Sequence, residues 1–339
     1  MVVCQNIRAL VHNFGGSMSI IEVTNLNKTF KIMKAQTGLF NSVKSLFYRE
    51  YIEKQAVKNM NFQVNQGEIV GFIGPNGAGK STTIKMLCGI LMPTSGSITV
   101  NGMVPYKNRN ENSKQIGVVF GQRSQLYWDL PVQDTFDVYQ KLYDIAPQQY
   151  KKNKEFFIEV LQMQDFMNQP VRQLSLGQKM KANLALSMLH DPKILYLDEP
   201  TIGLDVISKR SLRRCIVDIN KEKKTTIILT THDMDDIETT CNRLILINQG
   251  EKLYDGDIVQ FKKKYEKGYT IVLKFQHFPA WKNKPKFYLE KEENHSWYVT
   301  VDSAISTKSA LLQLIEMYDP IDIQVREISI ETVIEQIFS

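Results

Sequence analysis

Three observations on the sequence predict an α/β protein built on a parallel sheet. The runs Ile69 to Ile73, Ile194 to Leu197 and Thr225 to Leu229 are apolar throughout or nearly so, the pattern of strands buried on both faces. Between and after them lie segments whose apolar residues recur every three or four positions, the period of helices packed on a sheet. The first of these strands runs directly into a glycine-rich loop and then a helix.

Residues 20 to 33 alternate apolar and polar as a strand does, and Phe62 to Val70 repeats the pattern around a turn at Asn65-Gln66-Gly67. Between them, Leu39, Phe40, Val43, Leu46, Phe47 and Tyr51 fall at helical spacing, so Thr37 to Tyr51 is predicted as an amphipathic helix packed on its own domain. Beyond the helix that follows the glycine-rich loop, Pro93-Thr94-Ser95-Gly96 turns the chain into a strand at Ser97 to Val100. A mostly helical subdomain is predicted over about 124–190, with helices at Val132 to Tyr143, Tyr150 to Met163 and Gln178 to Leu189. A charged helix at Ile207 to Asn220 joins the last two apolar strands. The turn Asn248-Gln249-Gly250 then folds Leu244 to Ile247 against Lys252 to Tyr254 as a hairpin.

The texture changes near Tyr265. Strands at Tyr269 to Phe275, Lys286 to Glu290 and Trp297 to Val301 precede a helix at Ser306 to Tyr318, a strand at Ile321 to Ile328 and a final helix to Phe338. This reads as a small α+β accessory domain over 263–339, following a main domain over 18–262. Residues 1–17 read as a non-native extension. Codons for Gly15-Gly16 can spell a ribosome-binding sequence, and the first strand-like run begins just after Met18.

Composition narrows the function classes. With 43% hydrophobic and 23% charged residues the chain resembles an ordinary globular protein, and its apolar stretches fall short of the 18 or so residues that span a bilayer. A net charge of +6 in 339 residues, with both signs interspersed, is a general basic surface. Cys4, Cys88, Cys215 and Cys241 show neither C-x-x-C spacing nor a neighbouring histidine pair, which excludes a disulfide scaffold and a zinc site of that type.

Gly74-Pro75-Asn76-Gly77-Ala78-Gly79-Lys80-Ser81-Thr82 fits G-x-x-x-x-G-K-[ST] in full, between a strand and a helix. Glycines there let successive backbone N–H groups face phosphate oxygens, and the helix N-terminus adds a favourable dipole. Lys80 is placed to reach the β and γ phosphates of ATP and Ser81 to bind Mg2+. Asp198-Glu199 ends an apolar strand, where ligands of open α/β sheets collect. Asp198 suits the hydration shell of Mg2+, and Glu199 suits a base that takes a proton from attacking water.

With these motifs and Leu174-Ser175-Leu176-Gly177-Gln178 between them, residues 20–255 resemble the nucleotide-binding subunit of an ATP-binding cassette (ABC) transporter. The resemblance implies an α/β P-loop NTPase fold, an ABC ATPase domain with its helical subdomain. It also implies that Leu174 to Gln178 is the family signature, capping the γ-phosphate on a second, antiparallel subunit through Ser175 and Gly177. The partner would be a second copy of the chain or a sibling ATPase. By the same resemblance Gln122 is the Q-loop residue touching Mg2+ and water, Asp205 the D-loop contact to the opposite subunit, and His232 the switch histidine near the γ-phosphate. The adenine-stacking ring is Phe30, which ends the first strand, or Tyr51, which keeps the usual distance to Lys80; Phe30 is favoured. Leu176 departs from the family glycine.

The insert before Ala56, the pair Gly121-Gln122 and the run Gln125 to Leu130 are similar to export-type ATPases of the multidrug and viologen-exporter kind. The implied function is ATP hydrolysis that powers a separate integral membrane permease, exporting a drug-like or other small molecule, from a cytoplasmic position on the inner face of the membrane. No nucleic acid is expected as a partner. The alternative is a soluble ABC ATPase acting on ribosomes or DNA, whose relatives usually carry paired cassettes or coiled-coil and zinc insertions that this chain lacks. Tyr127 and Trp128, beside Gln122, are expected to help form the groove that receives the permease.

Overall fold

The computed structural model describes residues 19–33, 51–121, 123–265 and 268–327, together with positions 330, 333, 334 and 337. The predicted extension over 1–17, Gln122, and the predicted helix from Thr37 up to residue 50 lie outside the described residues. The chain divides into two compact units between Gly256 and Asp257, earlier than the expected boundary at 262/263.

The first unit contains two sheets. Strands β1 (Ser19–Met33), β2 (Tyr51–Asn65) and β4 (Ser95–Val100) form an antiparallel sheet in the order β2-β1-β4. Tyr51 opens β2 instead of closing a helix, and pairs with Met33 at the tip of a long ribbon. The first six residues of β2 carry no buried side chain, which is why no alternation announces this half of the strand.

The second sheet has the order β5-β6-β7-β3-β8-β9. Its members are β3 (Ile69–Ile73), β5 (Ile116–Phe120), β6 (Ile194–Asp198), β7 (Thr226–Thr231), β8 (Arg243–Asn248) and β9 (Glu251–Asp257). The pairs from β5 through β8 are parallel, and the two-residue loop Gln249-Gly250 turns β9 back onto β8. Register matters more than order for the site. Phe120 lies opposite Asp198, Asp198 opposite Thr230, and Ile73 opposite Thr231, so every chain segment leaving these strands emerges at one carboxyl edge.

The helices are α1 (Lys80–Leu87), α2 (Arg109–Ser113), α3 (Val132–Leu142), α4 (Pro147–Val160), α5 (Leu176–Met188), α6 (Val206–Lys223) and α7 (Met234–Thr240). A core of Ile21, Val57, Phe62, Phe72, Ile84 and Tyr196 joins the antiparallel sheet, the parallel sheet and α1. The Phe62 and Phe72 rings meet at 5.7 Å between centroids across the two sheets. Locking the phosphate loop between β3 and α1 therefore fixes it to both sheets.

The second unit has its own core. Helix α8 (Ile258–Tyr265) precedes an antiparallel sheet of β10 (Gly268–Lys274), β11 (Phe287–Glu293), β12 (Ser296–Asp302) and β13 (Asp322–Glu327), in the order β11-β12-β10-β13. Helix α9 (Thr307–Tyr318) contributes Ala310, Leu314 and Tyr318 to the core. Trp297 is fully buried there, with ring centroids of Phe275, Tyr318 and Trp281 at 4.8, 5.1 and 5.3 Å. Truncating such a residue to alanine costs about 3–5 kcal/mol.

Candidate active site

The phosphate loop lines a cavity of about 600 Å³. Asn76, Gly77, Gly79, Lys80, Ser81 and Thr82 form its floor, Phe30, Ile32, Lys54 and Ala56 one wall, and Glu199 its far end. Gly74, Pro75 and Ala78 complete the loop outside that lining. Gly79 has φ 106°, and a Cβ on it would stand 2.5 Å from the Ala56 carbonyl oxygen, so only glycine closes the loop onto α1.

Lys80 is 5% exposed, and its ammonium donates to the carbonyls of Gly74 (2.6 Å) and Pro75 (3.2 Å). Burial lowers its pKa, with the carboxylates of Glu199 and Asp198 opposing that shift. A phosphate approaching the loop would take over donors now given to backbone carbonyls. Phe30 faces the cavity, with the Lys28 ammonium 5.1 Å from its ring centroid, whereas Tyr51 does not line it.

Asp198 Oδ1 accepts hydrogen bonds from Ser81 Oγ (3.1 Å) and Thr230 Oγ1 (2.5 Å). Among the described residues no cluster of three or more His, Cys, Asp or Glu could enclose a metal ion. Mg2+ needs no such cage: it keeps several waters and binds one or two carboxylates plus substrate phosphates, which Ser81 and Asp198 beside the loop suit.

Glu199 adopts φ 54°, a left-handed conformation that costs a non-glycine residue about 1–2 kcal/mol. Its N–H donates to the Thr230 carbonyl (2.9 Å) and to Thr230 Oγ1 (3.2 Å), which hold the strained backbone. The neighbouring strand end comes very close. Gly121 N–H donates to the Asp198 carbonyl at 2.8 Å, and a Cβ on Gly121 would fall 2.1 Å from the Glu199 carbonyl oxygen. His232 Nδ1 lies 3.4 Å from Glu199 Oε2, so the switch histidine and the base expected from the sequence meet at the sheet edge.

The signature is elsewhere. Ser175 caps α5: its Oγ accepts from Gln178 N–H at 3.2 Å, and Gln178 Oε1 accepts from Ser175 N–H at 2.8 Å, a reciprocal capping box. None of Leu174, Ser175, Leu176, Gly177 or Gln178 lines the phosphate cavity of the same chain. Leu176 is 47% exposed, and its Cδ2 reaches within 3.2 Å of where a Gly203 Cβ would lie. Asp205 caps α6, accepting from Ile207 N–H and Ser208 N–H, both at 2.9 Å, and from Ser208 Oγ at 2.6 Å. The Ser208 hydroxyl, then its N–H, holds this carboxyl below its ordinary pKa.

Two smaller cavities extend the site. One of about 380 Å³ is lined by Ser81, Lys85, Gly121, Arg123, Asp198 and Glu199, along with Ile90 and Phe120. Ile90 and Phe120 also wall a groove of about 200 Å³, closed on its other side by Gln125, Tyr139, Tyr143 and His190 of the helical subdomain. His190 stacks on Tyr143 at 4.4 Å, and burial lowers its pKa. Tyr127 and Trp128 do not line this groove. Trp128 is 59% exposed and carries Lys179, next to the signature, 4.7 Å from its ring centroid. The sequence reading missed Thr230 and the tyrosines of the groove. Thr230 had one available signal, a hydroxyl two residues before His232 at the end of an apolar strand.

The parallel sheet, the phosphate loop and the carboxylate pair define an ATPase of the P-loop class. Residues 57–202 match the ABC transporter family model. The chain is 35% identical over 202 residues to the ABC transporter ATP-binding protein NatA of Bacillus subtilis (strain 168), covering 60% of this chain and 82% of that one. It is 34% identical over 238 residues to the bacitracin transport ATP-binding protein BcrA of Bacillus licheniformis, covering 67% and 76%. The structure of cbiO1 from Clostridium perfringens, part of the ABC transporter complex cbiONQ, superposes with TM-score 0.60 at 26% identity, covering 73% of this chain and 92% of that one. The chain belongs to the ABC transporter ATP-binding family and is an ATPase.

Proposed function

We propose that this ATPase drives a separate membrane permease, for export, from a head-to-tail dimer with a second copy of itself or a sibling subunit. The observation that carries the dimer is the separation of the signature from the chain's own phosphate cavity. A γ-phosphate on Lys80 of one subunit would receive Ser175 and Gly177 of the other. ATP thus acts as the adhesive, and its hydrolysis releases the pair. Export is supported by a relative named for bacitracin transport. No helix among the described residues is long and apolar enough to cross a membrane, so in this reading the passage belongs to the permease.

Phosphoryl transfer asks the protein for alignment and charge compensation more than for covalent chemistry. Lys80 and the loop N–H groups hold the phosphates. Ser81 and Asp198 would hold Mg2+, which would supply charge compensation to the phosphates. Glu199 takes the proton of the attacking water, with His232 beside it steadying the γ-phosphate. The small cavity shared by Phe120 and Ile90 joins this centre to the groove between Phe120 and Tyr139, where the permease docks at the inner face of the membrane, and Gln122, next after Gly121 in the sequence, is the residue assigned to sense it. Purified Glu199→Gln protein should accumulate as an ATP-bound dimer, with turnover reduced about 100- to 1000-fold. A normal hydrolysis rate in this variant would remove Glu199 from the role of base.

A further inference from the structure

Behind the site lies a buried carboxylate to which none of the family motifs gives a task. Asp236, on α7, is 1% exposed. Its Oδ2 accepts from Thr201 Oγ1 and, at 2.8 Å, from Thr231 Oγ1; its Oδ1 accepts from Arg213 Nε at 2.5 Å. A second acid extends the cluster: Asp233 accepts from Arg213 Nη2 at 3.2 Å and from Lys209 Nζ at 2.6 Å, and donates its N–H to Thr231 Oγ1 at 3.0 Å.

The donors come from three segments around the active centre. Thr201 lies two residues past Glu199, in the turn where Ile202 N–H donates to the Glu199 carbonyl at 3.3 Å. Thr231 immediately precedes His232. Lys209 and Arg213 stand on α6, whose N-terminus is capped by Asp205. Stability alone does not account for this cluster. A buried ion pair gains little over apolar residues of the same volume, because desolvation offsets its attraction. A carboxylate fixed by three directional donors does, however, set angles and distances that an apolar contact leaves loose.

We propose that Asp236 is a positioning residue: by holding Thr201, Thr231 and Arg213 on one carboxylate it sets the separation of Glu199 from His232 and ties that separation to the helix carrying Asp205. The inference rests on the reading of Glu199 and His232 as the hydrolytic pair. It makes the base and the switch histidine respond to movement of α6, the element that the dimer reading places at the subunit contact. Misplacement of reacting groups by about 1 Å is enough to cost about 100-fold in rate.

The test replaces the buried pair by apolar residues in the full-length chain, Arg213→Met with Asp236→Leu, a change that removes both charges together and so leaves neither unpaired. The expected result is a folded protein with ATP affinity within about twofold of the parent and kcat lowered about 10- to 100-fold. A folded double variant with kcat within twofold of the parent overturns the proposal, as does an equal loss in affinity and kcat. Should the double variant fail to fold, Thr201→Val with Thr231→Val gives the answer, since it removes the two hydroxyl donors, along with the acceptor of the Asp233 N–H, and leaves the charged pair in place. The same split, kcat down and KM steady, is expected there, and an unchanged kcat overturns the proposal. Glu199→Gln measured alongside separates the two claims: if it retains hydrolysis, the reading of the pair fails; if it alone loses hydrolysis, only the role of Asp236 fails.

Discussion

The phosphate-loop side and the signature side of the first unit are finished to different degrees. Around the loop the charged groups find partners within the chain: Lys80 on the Gly74 and Pro75 carbonyls, Asp198 under Ser81 and Thr230, Glu199 beside His232. Around the signature the polar groups are used in capping α5 and α6, while Leu176, Val206 and Ile207 stand 47, 67 and 81% exposed. Apolar side chains gathered near a polar rim mark a contact surface. One side is a pocket whose charged groups are paired within the chain; the other is a surface that, in the dimer reading, completes the pocket of a second subunit.

The sharpest test of that contrast removes the pocket's main cation. Lys80→Ala should lower ATP turnover by about 1000-fold and weaken nucleotide binding with it; turnover within tenfold of the parent would show that the loop N–H groups suffice. Next comes Ser175→Arg on the opposite side. Turnover should fall about 100-fold while ATP binding to the separated subunit stays within about twofold, measured by titration at protein concentrations below dimerisation. Equal losses in both quantities would place the signature on its own chain's nucleotide and erase the contrast.

A smaller effect is expected from Leu176→Gly, which restores the residue usual in the family. Losing a half-buried leucine and adding a glycine to the first turn of α5 should cost about 1–2 kcal/mol in chemical denaturation, with turnover changed less than about tenfold. No change in stability would mean that the contact with Gly203 contributes nothing. The smallest effect concerns acid. Burial raises the pKa of Asp233, but the hydrogen bond and charge of Lys209 and the charge of Arg213 outweigh it, so the net shift is downward. The resulting stabilisation is fully present above the ordinary carboxylate pKa near 3.9 and disappears as pH falls through the lower folded value. Asp233→Asn should therefore flatten that part of the acid unfolding curve, followed by circular dichroism; an unaltered curve would disconnect Asp233 from acid stability.

The parts legible in the sequence are those with a local cause. Val132–Leu142, Val206–Lys223 and Thr307–Tyr318 fall close to the positions predicted from the sequence, and the strand ends that carry Asp198 and Thr231 are marked by the runs before them. Where both faces of a segment are in water the pattern vanishes, as in the outer half of β2. Alternation in β1 announced a strand but not its sheet, because pairing with β2 and β4 in place of the parallel sheet is a tertiary choice. The loop, signature and carboxylate pair are compact motifs and could be read directly. The cluster on Asp236 could not: Thr201, Arg213 and Asp236 are ordinary residues far apart in the chain, and only folding makes them neighbours. Tyr139, Tyr143 and His190 fit apolar helical spacing, so as sequence they read as core, although they wall a groove.

Gly121 has a consequence for how this protein can vary. Every other amino acid has a Cβ, so no substitution at this position avoids placing an atom against the Glu199 peptide. The spacing between the end of β5 and the Glu199 peptide is thus gauged by a missing side chain, and any substitution at Gly121 would have to push the two strand ends apart.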